Sequence, residues 1–312
     1  MDKFSIAFGA FALALLWVWV FWRKGLRLGF ADLPSSRGLH AQPTPRGAGG
    51  AIAVAWAFFR LAEGFAWQDL SLLGFFLLGL ADDFRPLPAI SRLVAQFLLA
   101  AFWLWASGET GFPFFFFLFF IAATSNFYNF MDGANGMAAL SGLAAFGWLF
   151  FWAQGGWTWE VLAVILGILA FLPFNFPRAR VFMGDAGSLF LGAFFAASCI
   201  RIAKGAAEFL FLAGLLFPFY ADTLTTLFFR WQAKKNLLSA HREHLYQILV
   251  HDYGFSHPRV SLGYLLLQAV AAAAFSLVLP LGLFAVLCCW FFFFLGFFLL
   301  SRRLRQNALQ SP

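Results

Sequence analysis

Apolar runs long enough to cross a bilayer recur along the whole chain, with short polar intervals between them. A helix needs about 20 apolar residues to span the hydrocarbon layer. On that ruler spans fall at 4–22, 49–65, 67–81, 90–107, 113–131, 137–153, 157–174, 187–203, 208–228, 260–279 and 281–300. No stretch alternates with the period of two that a transmembrane barrel requires, so helices are the remaining architecture. The pattern predicts an all-α, polytopic integral membrane protein with eleven transmembrane helices, organised as one domain over residues 1–312. The second and third runs are short, and Arg60 interrupts the second, where snorkelling to the outer interface is the simple reading. The first run lacks a small-residue cleavage pattern and its basic flank follows it, which makes it a span rather than a signal peptide.

Charge gives the spans a direction. Arg23, Lys24, Arg27, Arg37, Arg46, Arg85, Arg92, Arg178, Arg180, Arg230, Lys234, Lys235, Arg242, Arg259, Arg302, Arg303 and Arg305 all fall on one face, whereas the other receives little beyond Lys3, Arg201 and Lys204. The basic face is expected to be cytoplasmic, with loops near 23–48, 82–89, 132–136, 175–186 and 229–259. An odd number of spans then puts the N-terminus in the periplasm and the C-terminus in the cytoplasm of a bacterial inner membrane.

Composition agrees: 62% of the 312 residues are hydrophobic and 11% charged, with a mean hydropathy of +0.80, outside the range of soluble globular proteins. The net charge of +7 is spread over short loops, so it reports membrane orientation and not a nucleic-acid partner. Cys199, Cys288 and Cys289 lie in apolar segments without metal-ligand spacing and are expected to be inert.

Polar residues concentrate in a few loops of the basic face. Asp82 and Asp83 end a helix at its negative dipole pole, where carboxylates are unfavourable and a cation, or Arg85, would compensate. In "NFYNFMDGANG", Asn126, Asn129, Asp132 and Asn135 recur every third residue, a stripe along one side of a helix. Such amides serve either as interhelical glue or as the wall of a groove, and Gly133 and Gly136 suit close approach of a ligand. In "FMGDAGS", Asp185 stands between Gly184 and Gly187 at the start of a span, so Asp185 or Ser188 is either an N-cap or part of an anion and cation site at a helix N-terminus. His241, Arg242 and His244 offer donors to phosphate or sugar oxygens, with zinc or anionic headgroups as the competing occupants. "RGLHAQPTPRGAGG" holds Arg37, His40 and Arg46 in a stiffened basic loop within reach of an interfacial phosphate. Together these are the parts for a magnesium-bound diphosphate and a second, lipid-borne phosphate, and so for phosphoryl transfer at the membrane surface.

The colinear order "RGLH…PTPRGAGG", "DDFRP", "NFYNFMDGANG", "FMGDAGS", "HREHLYQ" over about residues 30 to 260 resembles the polyprenyl-phosphate N-acetylhexosamine-1-phosphate transferases, glycosyl transferase family 4. The resemblance implies that undecaprenyl phosphate attacks a UDP-activated N-acetyl sugar, releasing UMP, with magnesium or manganese as cofactor. It implies Asp185 as metal ligand and Asp82, Asp83, Asp132 and Asp185 as the catalytic acids. Arg37, His40, Arg46, Asn126, Asn129, Asn135, Gly184, Gly187, His241, Arg242 and His244 are expected at the substrates. Asn135 replaces the second acid of the family's "DGxDG", and Pro86 stands where a further Asp is common. "HREHLYQ" and "PTPRG" look like the O-antigen-initiating branch. Membrane lipids are the expected surroundings, and a homodimer is compatible with the sequence. The readings from other classes are a transporter or lipid flippase, which would place ionisable groups near the midplane, and a non-catalytic scaffold.

Overall fold

The computed structural model describes residues 2–33, 42–111, 113–237, 239 and 241–310. The predicted Arg37 and His40 lie outside them. The chain is helical almost throughout: α1 (Lys3–Lys24), α2 (Gly50–Glu63), α3 (Trp67–Phe84), α4 (Ala89–Ala106), α5 (Pro113–Phe130), α6 (Met137–Trp152), α7 (Gly156–Asn175), α8 (Gly184–Ile202), α9 (Ala206–Gly214), α10 (Phe217–Gln232), α11 (Leu245–His251), α12 (His257–Val278) and α13 (Leu283–Gln310). Between α1 and α2, Ala31–Asp32 pairs antiparallel with Thr44–Pro45.

The protein is an all-α, multi-pass membrane protein. Seven of the described helices are long and apolar enough to cross a bilayer, or eight if the pair α9 and α10, bent by 82°, is one broken span. Each of the eleven predicted runs coincides with a helix or with that bent pair, but α2 and α6 have only 14 and 16 residues. Helix α3 carries Asp69, Asp82 and Asp83.

Helix α8 is the centre of the bundle, with every side chain from Ala186 to Ile200 buried. A helix apolar on all sides must be enclosed by others, and small residues admit the neighbours. Gly187 packs on Gly49 at the start of α2, Gly79 of α3 lies against the Asp185 backbone, and Gly192 lies against Ser125 of α5. Ser125 seals the last contact by donating its hydroxyl to the Leu189 carbonyl at 2.9 Å.

Arg60 does not simply snorkel. Its guanidinium binds Asp69 at 2.9 Å and Glu160 at 3.3 Å, and Trp56 donates to Glu160 at 3.1 Å. Both acids are buried, so the pair is satisfied as a network, as buried charges must be. These groups lie at the end of the bundle opposite to the carboxylates described next.

Candidate active site

Three loops meet at the N-terminus of α8. The segment 45–49 runs beside 182–183, with Phe182 N donating to Pro45 O at 2.7 Å and Gly49 N to Met183 O at 3.0 Å. This seats Arg46 under the end of α3, where its Nε donates to the Asp83 carbonyl at 2.8 Å and its Nη2 to the Asp82 carbonyl at 3.3 Å. The negative pole of α3 is thereby neutralised. Arg85 is exposed and pairs with neither acid among the described residues.

The two adjacent acids face different ways. Asp83, 1% exposed, accepts the Asp185 N–H at 3.0 Å on one oxygen and the Ala186 N–H at 2.9 Å on the other. It therefore caps α8 from another helix, and neither Asp185 nor Ser188 is the N-cap. Gly184 makes this approach feasible: its φ is +71° and a Cβ there would fall on the Asp83 carboxylate. Asp82 turns instead to Arg92 of α4, at 2.7 Å, and accepts the Leu87 N–H at 2.7 Å. The same Arg92 nitrogen lies 2.8 Å from Asp185 Oδ2. One cationic atom thus sits between carboxylates from two helices, and Asn129 fixes the second by donating to Asp185 Oδ1 and to Ser188 Oγ, each at 2.9 Å.

Asp132, in the turn after α5, completes the cluster. Burial together with the nearby charges of Asp185 and Asp83 raises its carboxyl well above the usual range, while the Gly184 amide works against the shift.

The asparagine stripe divides by role. Asn126 donates to Gln96 of α4 and to the Ala122 carbonyl at 2.8 Å, the glue reading. Asn129 holds Asp185. Asn135 reaches the Pro177 carbonyl at 3.3 Å, away from the acids. The turn glycines admit protein: Gly133 lies against the Tyr246 hydroxyl and Gly136, at φ +77°, against Phe176.

A groove of about 610 Å³ leads to Arg92 from the side of the bundle. Its inner walls are Leu93, Phe97, Phe119 and Leu227, and its polar end holds Asn126, Asn129, His241, His244 and Gln247. The two histidines stack with ring centroids 5.0 Å apart. His244 is buried, with Nδ1 3.5 Å from Asp222 of α10. Asp222 also accepts the Leu245 and Tyr246 N–H groups and the Tyr264 hydroxyl, so it anchors the start of α11. His241, half-buried beside His244 and Arg230, is lowered to about 4, chiefly by desolvation, so it is a neutral imidazole at physiological pH. Arg242 lines a different cavity.

Sequence reading missed Arg92, Gln96 and Asp222. The visible signal for Asp222 was an acid in the middle of the apolar run 208–228, which in a membrane segment marks a partnered or functional group. Arg92 looked like one more basic residue of the inner face.

Among the described residues no three His, Cys, Asp or Glu side chains form a ready metal cage. What is present is a pair of carboxylates, Asp82 and Asp185, aimed at one position that the Arg92 guanidinium takes in this structure. That suits magnesium, which takes one or two carboxylates and completes its shell with phosphate oxygens and water.

Residues 69–203 match the model of glycosyl transferase family 4. The chain is 30% identical over 234 residues to an undecaprenyl-phosphate alpha-N-acetylglucosaminyl 1-phosphate transferase of Thermotoga maritima, covering 72% of this chain and 74% of that one. It is 29% identical over 293 residues to a decaprenyl-phosphate N-acetylglucosaminephosphotransferase of Mycobacterium tuberculosis, covering 76% and 72%. A phospho-N-acetylmuramoyl-pentapeptide-transferase of Dictyoglomus turgidum is 29% identical over 277 residues, covering 78% and 87%.

Proposed function

The chain belongs to glycosyl transferase family 4, and from that premise we propose that it transfers an N-acetylhexosamine-1-phosphate from a UDP-sugar to undecaprenyl phosphate. A lipid phosphate oxygen attacks the β-phosphorus of the donor, the bond to the α-phosphate oxygen breaks, and UMP leaves. The product is an undecaprenyl-diphosphate-linked sugar that starts O-antigen or another cell-envelope polysaccharide at the cytoplasmic face of the membrane.

The observation that carries this reading is that Asp82 and Asp185 converge on one nitrogen of Arg92, and Arg92 lines a groove with apolar walls. A bound magnesium would neutralise the donor diphosphate and draw charge toward the leaving UMP. In this arrangement Asp185, oriented by Asn129, and Asp82 would hold the cation, in the position that the Arg92 guanidinium takes in this structure. Asp83, seated by Arg46, holds the helix start that carries Asp185. The groove takes the first isoprene units and delivers the lipid phosphate to Arg92. His241 and His244 face the same groove and are suited to donor oxygens.

No general base is required. A phosphate monoester is already largely ionised at neutral pH, with its second pKa near 6, so the protein's contribution is positioning and charge neutralisation. Purified protein with magnesium, undecaprenyl phosphate and a panel of UDP-N-acetyl sugars should yield UMP and lipid-linked sugar in equal amounts for one member. Absence of both across the panel, with lipid or sugar movement in sealed vesicles, would reject the transferase reading in favour of transport.

A further inference from the structure

A second cavity, of about 800 Å³, opens at the same end of the bundle between α10, α11 and the end of α13. It is separate from the groove: Arg242 and Glu243 line it, whereas His241 and His244 on either side line the groove. We propose that this cavity binds the headgroup of an anionic glycerophospholipid.

The charges lining it do not balance. Lys235, Arg242, Arg302 and Arg305 face Glu243 and Asp252. Glu243 is already committed to Arg230 at 2.7 Å and to Lys235 at 3.1 Å. Asp252 shares a hydrogen bond with the ring of its neighbour His251 at 3.0 Å, which leaves two acids against four cations along the lining. Arg305 is held by the Thr226 hydroxyl at 2.8 Å, by Ser301 and by the Glu243 carbonyl. Arg242 and Arg302 have no carboxylate partner among the described residues, so two guanidinium groups border the space without a counter-ion. Guanidinium pairs grip phosphate oxygens well because their N–H donors are planar and fixed.

The apolar surface says which phosphate. Positions 291, 295, 298, 302 and 305 of α13 follow the 4,3 spacing that puts side chains on one helix face. That face is therefore Phe291, Leu295 and Phe298 along the membrane span, then Arg302 and Arg305 at the cavity. Phe291 is 62% and Leu295 39% exposed, and Phe228 of α10, on the cavity wall, is 41% exposed. An apolar track ending in Arg302, with Arg242 on the same cavity lining, matches acyl chains joined to a phosphodiester, and a free phosphate would use only half of it. On the proposed orientation the cavity opens at the inner leaflet, where anionic lipids concentrate.

Native mass spectrometry of the full chain, released from micelles containing equal phosphatidylglycerol and phosphatidylcholine, tests the site without any transfer reaction. The wild type should retain phosphatidylglycerol preferentially. Arg302→Gln should reduce that preference by about five-fold, the size of one basic contact to an anionic lipid. Arg303→Gln, an exposed neighbour that does not line the cavity, should leave it unchanged. Equal loss in both variants would reduce the effect to general surface charge and overturn the proposal. So would displacement by millimolar inorganic phosphate, a free-anion site, or by one equivalent of undecaprenyl phosphate, an acceptor site. Should Arg302→Gln not fold, equal retention of the two lipids by the wild type overturns it as well.

Discussion

Asp83 accepts the main-chain N–H of Asp185 at 3.0 Å, so the carboxylate that ends α3 carries the residue that begins α8. Two neighbouring acids, Asp82 and Asp83, therefore have separate tasks, one turned to the cation position and the other to the scaffold beneath it.

That division predicts opposite stability effects. Asp83→Ala leaves the Asp185 and Ala186 amides of a buried helix start unpaired, at a cost of about 1–3 kcal/mol for each unsatisfied group. Its melting temperature in detergent should fall clearly. Asp185→Asn relieves crowding among Asp82, Asp83 and Asp132, so it should melt at or above the wild type while losing at least ~100-fold in transfer rate. Equal melting temperatures for the two variants would contradict the division.

Gly184 tests the same junction by geometry. At φ +71° its missing side chain is the space occupied by the Asp83 carboxylate. Gly184→Ala should cost at least about 1–3 kcal/mol from backbone strain alone, read as a lower denaturation midpoint, with activity lost alongside.

The asparagines should separate in the same way. Asn129→Ala removes both hydrogen bonds that orient Asp185 and Ser188, and should weaken metal-dependent turnover by about 10-fold, the size of one charge-assisted hydrogen bond. Asn126→Ala, which loses a contact between α5 and α4, should cost about 1 kcal/mol of stability while leaving the metal dependence of turnover unchanged. Similar metal-titration curves for both variants would count against the assignment.

How far this was legible in the sequence follows from the range of the interactions. The helices were readable because each apolar run carries its own signal, and the DD, DG and GD clusters because carboxylates at helix ends demand partners. The partners themselves were not readable. Arg92 meets Asp185 across 93 positions and Asp83 meets Ala186 across 103, and no local period encodes which acid turns inward. The glycines of "DGANG" misled for a related reason, since Tyr246 and Phe176, remote in sequence, fill the space that a ligand was expected to approach. The count of spans was indistinct because α2 and α6 are too short to announce a full crossing and α9 with α10 bends midway.

His241 gives a pH signature. Its imidazole is lowered from the ordinary 6.5 to about 4 by burial, with His244 and Arg230 adding to the shift. The unfolded chain takes up a proton as pH falls through the upper value, and the folded chain does so only near the lower one. Stability is therefore complete above the upper value and is lost as pH falls toward the lower. Between neutral pH and about pH 5, the wild type should lose more melting temperature than His241→Gln, a comparison that cancels the other titrating groups. Parallel curves would show that folding leaves the proton affinity of His241 unchanged.

The central claim is that Asp82 and Asp185, from α3 and α8, would hold the divalent cation that neutralises the donor diphosphate. Electron paramagnetic resonance of Mn²⁺, titrated into the purified protein with a UDP-N-acetyl sugar, reads that site directly. The account predicts one bound ion per chain, displaced by magnesium, with affinity reduced at least ~10-fold in both Asp82→Asn and Asp185→Asn. Unchanged Mn²⁺ affinity in the two variants would contradict it.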